Sequence, residues 1–79
     1  MADVVFPKLS EQDPVAEGVV ATWFVRDGDQ VASGQLLGEV MVEKVSGEVI
    51  APAAGQVLLV VGEDQPARQG DVIARVEQP

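Results

Sequence analysis

A chain of 79 residues, 47% of them hydrophobic, is long enough for one small domain with one core and too short to build an enzyme around its own pocket. It contains no cysteine and no histidine, which removes disulfides, the usual zinc ligands and most nucleophile and general-base arrangements, so any chemistry must arrive from outside. Thirteen acidic against five basic residues give a formal charge of −8, which opposes phosphate backbones and anionic lipid and excludes nucleic acid and membrane surfaces as main partners.

No apolar run approaches the roughly 18 residues that span a bilayer, and the acidic N-terminus has no signal-peptide character, so a cytoplasmic address is expected. In chain order, strands are predicted near residues 4–7, 18–25, 30–31, 36–42, 45–51, 55–61, 67–68 and 72–76, where apolar, β-rich runs are separated by turn segments such as Arg26-Asp27-Gly28-Asp29 and Gly62-Glu63-Asp64-Gln65-Pro66. No helix is predicted, because Pro7, Pro14, Pro52 and Pro66 would interrupt any long helical pattern. One all-β domain over residues 1–79 follows, with 77–79 as the start of a linker.

The two halves repeat at an offset of 36 to 37 residues. Gly18–Val25 matches Gly55–Gly62, Gly34–Val40 matches Gly70–Val76, and between them Asp27–Ser33 matches Asp64–Gln69 with one residue deleted. Two copies are too few for a solenoid, so they must pack on each other as a twofold-related sandwich or barrel.

Met41-Val42-Glu43-Lys44-Val45-Ser46 joins the copies, and its flanking strand patterns make it a hairpin with Glu43-Lys44 at the tip. After the turn, Val45, Gly47, Val49 and Ala51 share one face, and Ser46 and Glu48 the other. Without glycine or asparagine for the tightest primed turns, a type I turn in a slightly wider loop is expected. Lys44 and Lys8 are the two lysines of the chain. A hairpin tip is where a modifying enzyme can reach an amine, although a turn lysine is in general only a solvated charge.

The remaining conspicuous residues read as structural. Trp23 and Phe24 adjoin in a strand, point to opposite faces and are expected to pack. Gly28, Gly34, Gly55, Gly62 and Gly70 are turn and close-packing glycines, with no strand-glycine-helix arrangement to cradle phosphate. Asp27, Asp29, Glu63 and Asp64 lack the alternating-ligand loop of a calcium site, so no metal is expected, and the acidic residues are read mainly as a solubilising surface.

Several segments in order resemble the lipoyl domain of the biotin/lipoyl attachment family. They are Phe6-Pro7-Lys8-Leu9-Ser10-Glu11, Glu17-Gly18 leading to Trp23-Phe24-Val25, Gly28-Asp29-Gln30-Val31, Gly34-Gln35-Leu36-Leu37-Gly38-Glu39-Val40, Glu43-Lys44 and Ile50-Ala51-Pro52-Ala53-Ala54-Gly55. The resemblance implies a flattened barrel of two four-stranded antiparallel sheets with quasi-twofold symmetry, termini at one end and the modified lysine at the other. It also implies lipoic acid in amide linkage to Lys44, with Glu43, Val42 and Val45 forming the tip that is recognised.

The implied role is a non-catalytic swinging-arm carrier, part of a dihydrolipoyl acyltransferase or free-standing. Its partners would be a lipoate ligase or lipoyl transferase, a thiamine-dependent 2-oxo acid decarboxylase, an acyltransferase core and dihydrolipoyl dehydrogenase. Two positions depart from the family pattern: Glu43 stands where aspartate is usual, and Val40 where glutamate is frequent. The related biotin carriers place methionine on both sides of the lysine, where this chain has Glu43 and Val45, which favours lipoate over biotin. Besides biotin carriage, the alternative is an unmodified structural barrel.

Overall fold

The computed structural model describes residues 1–9 and 17–79. Ser10, Glu11 and Pro14, which figured in the sequence reading, lie outside the described residues. Eight strands are present: β1 (Ala2–Val5), β2 (Glu17–Trp23), β3 (Gln30–Val31), β4 (Leu36–Val42), β5 (Val45–Ile50), β6 (Gly55–Leu59), β7 (Pro66–Arg68) and β8 (Val72–Glu77). They form two antiparallel four-stranded sheets in the orders β1-β8-β6-β3 and β5-β4-β2-β7. Adding four to each strand number of one order, cyclically, gives the other, so the sequence repeat appears as a twofold in which each sheet takes strands from both copies.

The repeat is accurate down to single hydrogen bonds. Four turns, beginning at Arg26, Ala32, Gly62 and Arg68, share one construction in which the first residue's N–H donates to the side-chain oxygen of the fourth. Those bonds run Arg26 to Asp29, Ala32 to Gln35, Gly62 to Gln65 and Arg68 to Asp71, all at 2.8–2.9 Å. The fourth residue's N–H returns to the first carbonyl at 3.0–3.3 Å. The third residue has a positive φ, met by Gly28, Gly34 and Gly70 and, in the remaining turn, by Asp64 at φ 64°. Gly28 N–H then reaches across to the Val57 carbonyl at 2.7 Å, and its mate Asp64 N–H to the Val20 carbonyl at 2.8 Å.

Strand ends differ by a few residues from the sequence expectation, for identifiable reasons. Phe6 leaves β1 because it bonds the β7–β8 turn, donating to the Asp71 carbonyl and accepting from Gly70 N–H. β2 stops at Trp23, whose N–H goes to the Glu63 carboxylate instead of a ladder partner. β6 stops at Leu59, since Val60 and Val61 both donate to the Ile73 carbonyl.

The core between the sheets is valine-rich, with Phe6, Leu37 and Ile73 as its largest members, and among the described residues it holds no buried polar side chain. Trp23 packs against it from the edge. Phe24 does not pack: it is 55% exposed, because the chain leaves the sheet there and turns Val25 inward instead.

Candidate functional site

The β4–β5 hairpin is the tightest possible joint between the copies. Val42 faces Val45 across the ladder, leaving Glu43 and Lys44 as a two-residue loop. The expected wider type I turn is therefore corrected. Glu43 has φ 54°, the left-handed first position of a primed turn, whose twist matches that of the flanking strands. A glutamate accepts this conformation at a cost of roughly 1–2 kcal/mol. The alternative is to break a register of six facing pairs between β4 and β5, in which Val40 and Val42 are inserted into the core.

The four tip residues divide by role. Val42 is 1% exposed and anchors the hairpin from beneath, so its side chain is not offered to a partner. Glu43, Lys44 and Val45 are exposed, and Lys44 has no hydrogen bond or ion pair to another described residue. Alternation in the descending arm is as expected for Ser46, Glu48 and Val49, whereas Val45 is 44% exposed despite sharing the core-side parity.

The rest of the chain holds the tip away from the termini. β1 starts beside the C-terminal strand, with Ala2 facing Val76. It then runs toward the hairpin, where Phe6 abuts Gly18 and Leu9 abuts Gly47. The molecule measures 38 × 19 × 17 Å. Shallow surface depressions occur elsewhere, such as one lined by Val5, Phe6, Pro7, Lys8, Gln69 and Gly70.

Sequence reasoning missed one pair of residues that secures this frame. The Asp27 carboxylate accepts Leu59 N–H at 2.8 Å, and the Glu63 carboxylate accepts Trp23 N–H at 2.9 Å. These are twofold mates, each tying a turn of one copy to a strand end of the other. The repeat as read from the sequence pairs Asp27 with Asp64; the turns correct this by one residue, because Gly28 and Asp64 hold the same position in them, and so make Glu63 the mate of Asp27. The Trp23 indole N–H adds a bond to the Val61 carbonyl at 2.9 Å. The bonds from Trp23 N–H and from Thr22 hold the Glu63 carboxyl below its ordinary pKa. Asp27, Asp29 and Glu63 thus spend their oxygens on backbone amides, and among the described residues no group of three or more acidic side chains is arranged to hold a metal ion. No helix long and apolar enough to cross a membrane occurs among the described residues.

Comparison with known proteins agrees with this geometry. The chain is 36% identical over 72 residues to the lipoamide acyltransferase component of the branched-chain alpha-keto acid dehydrogenase complex of Bacillus subtilis, covering 90% of this chain and 16% of that protein. It is 36% identical over 78 residues to the dihydrolipoyllysine-residue succinyltransferase component of the 2-oxoglutarate dehydrogenase complex of Cupriavidus necator, covering 98% of this chain and 18% of that protein. It therefore spans less than a fifth of either relative. The solution structure of the lipoyl domain of the 2-oxoglutarate dehydrogenase complex from Azotobacter vinelandii superposes with a TM-score of 0.77 at 28% identity, covering 99% of this chain and 98% of that one. Residues 2–76 match the biotin/lipoyl family, described as "Biotin-requiring enzyme", and the chain belongs to that family.

Proposed function

We propose that this chain is a swinging-arm carrier that holds lipoic acid in amide linkage to Lys44 and serves a 2-oxo acid dehydrogenase complex. The observation that carries the proposal is the unpartnered, exposed Lys44 on a two-residue loop, pinned by the buried Val42. The residues present fit the group: the amine is accessible, its neighbour Val45 is an exposed apolar side chain, and no described carboxylate neutralises it. The relatives named as lipoamide and dihydrolipoyllysine acyltransferase components support lipoate over biotin.

Attachment joins Lys44 Nζ to the lipoate carboxyl. ATP is cleaved to AMP and pyrophosphate, and the amine loses its proton. The charged, flexible stem becomes a longer neutral tether. Lipoamide, when bound, supplies a dithiolane that carries acyl groups and reducing equivalents. The protein's own contribution is mechanical: the rigid hairpin fixes where the tether begins, and tethering raises the effective concentration of the carried group at each active site without tight binding. Those sites would belong to a thiamine-dependent decarboxylase, an acyltransferase core and dihydrolipoyl dehydrogenase, with this chain itself non-catalytic.

The test is the intact mass of the folded protein after incubation with lipoate, ATP and a lipoate ligase, beside Lys44→Ala and a parallel biotin ligase reaction. A lipoyl increment on wild type alone supports the carrier reading. A biotin-only increment replaces lipoate by biotin, and no increment from either enzyme returns the chain to an unmodified structural barrel.

A further inference from the structure

The outer face of the β5-β4-β2-β7 sheet, beside the tip, is organised in rows. Ser46 faces Met41, Met41 faces Val19, and Val19 faces Pro66, so one row crosses all four strands with its side chains on the outer surface. Met41 is 40% exposed, Ser46 and Pro66 are exposed and Val19 is half-buried. The next row away from the tip joins Glu48, Glu39 and Thr22. Glu39 and Glu48 sit directly opposite each other with no basic partner among the described residues, an arrangement that disfavours the sheet. On the tip side, Glu17 pairs with Arg68 in β7 and Glu43 lies in the loop. Met41, Val19 and Pro66, ended by Ser46, thus form a row bordered by Glu39 and Glu48 on one side and by Glu43 and Glu17 on the other, with Arg68 facing Glu17 across the ladder.

We propose that this row is the docking surface for the enzyme that modifies Lys44, which would present an apolar patch bordered by basic side chains. The inference rests on the carrier reading. Reach selects this partner over those that act later. A free lysine projects its amine by only five bonds of about 1.5 Å, so an amide-forming enzyme must close over the hairpin itself. Met41 and Ser46 lie one rung below the Val42–Val45 pair, about 3.3 Å along the strands, and cannot avoid that contact. Once the tether is attached, later partners can stand farther off. The carboxylate rows specify the sign of the partner's rim, and a chain of net charge −8 would be drawn to it at low ionic strength.

The experiment is steady-state lipoylation by a lipoate ligase, with ATP and lipoate saturating and the folded domain varied. Wild type, Met41→Glu, Ser46→Glu, the double variant Glu39→Gln/Glu48→Gln and the remote Val60→Glu are compared, each checked for native circular dichroism. Met41→Glu and Ser46→Glu are expected to raise KM about tenfold with kcat within about twofold, the loss of one well-packed contact. The double variant is expected to raise KM about threefold at low salt and to flatten its salt dependence. Val60→Glu is expected to match wild type. Unchanged KM in both folded row variants overturns the docking surface while leaving the carrier reading intact. A wild-type dimer in sedimentation that Met41→Glu dissolves overturns it in favour of self-association. Failure of wild type to accept lipoate at all overturns the carrier reading beneath it.

Discussion

Two non-glycine residues hold left-handed backbone, and they differ in what they gain. Asp64 at φ 64° occupies the position that Gly28 takes in the other copy, and its N–H still makes the cross-copy bond to Val20. Asp64→Gly is expected to raise stability by about 0.5 kcal/mol, the relief of strain exceeding the added freedom of the unfolded chain. Glu43→Gly is expected to gain about 0.5–1 kcal/mol, because glutamate tolerates that conformation less well than aspartate. Urea midpoints followed by Trp23 fluorescence measure both, and a loss in either variant would mean that the side chain does more for the fold than its φ suggests. Glu63 acts through its charge. Its carboxyl is held below the ordinary value of 4.5, first by the bond from Trp23 N–H, so the unfolded chain takes up the proton more readily than the folded one. The stability this lends is present above pH 4.5 and is lost as pH falls through the lower folded value. Wild type should therefore lose stability relative to Glu63→Gln on acidification below 4.5, and parallel curves for the two proteins would remove the Trp23 latch as the cause.

At the scale of strands, Gly18 in β2 shows how closely the layer under the tip is packed. A methyl group there would meet the Met41 carbonyl, Phe6 Cζ at 2.7 Å and Val42 Cγ2 at 2.8 Å. The carbonyl belongs to the β4 ladder and cannot yield, so Gly18→Ala is expected to cost about 1–3 kcal/mol by overpacking, read as a lower urea midpoint with unchanged slope. Strand positions were legible in the sequence because alternation and turn residues are local: the longer strands β2, β4, β5, β6 and β8 lie where apolar, β-branched runs meet glycine, aspartate or proline. The repeat even implied the twofold. What stayed hidden depends on residues far apart in the chain. The primed turn at Glu43-Lys44 follows from the collective twist of β4 and β5, which outweighs the local preference of glutamate. The Asp27–Leu59 and Glu63–Trp23 bonds span 32 and 40 residues. The Met41 row exists only once the register is known, because its four members are scattered between residues 19 and 66.

For the molecule as a whole, the twofold explains why a short chain without disulfides can present a single amine so firmly. Each sheet borrows strands from both copies, so neither half can detach without opening both sheets, and the hairpin that links the copies is anchored by the buried Val40 and Val42 of β4 and, farther from the tip, Val49 of β5. The opposing force is charge. Thirteen carboxylates and five cations are spread over 4701 Å² of surface, and the described ion pair, Arg75 to Asp3 at 3.4 Å, has both side chains about half exposed, a setting in which such pairs contribute little. Repulsion among the remaining carboxylates, including the facing Glu39 and Glu48, should therefore exceed attraction in the folded state. Salt screens such surface terms within about 8–10 Å near physiological ionic strength, so added potassium chloride up to physiological strength is expected to raise the urea midpoint at pH 7. The double variant Glu39→Gln/Glu48→Gln should start higher and respond less, since it removes the facing pair that screening relieves. A midpoint that falls with salt would show instead that attraction such as that of Arg75 to Asp3 outweighs the excess negative charge, and that the acidic rows cost the fold nothing.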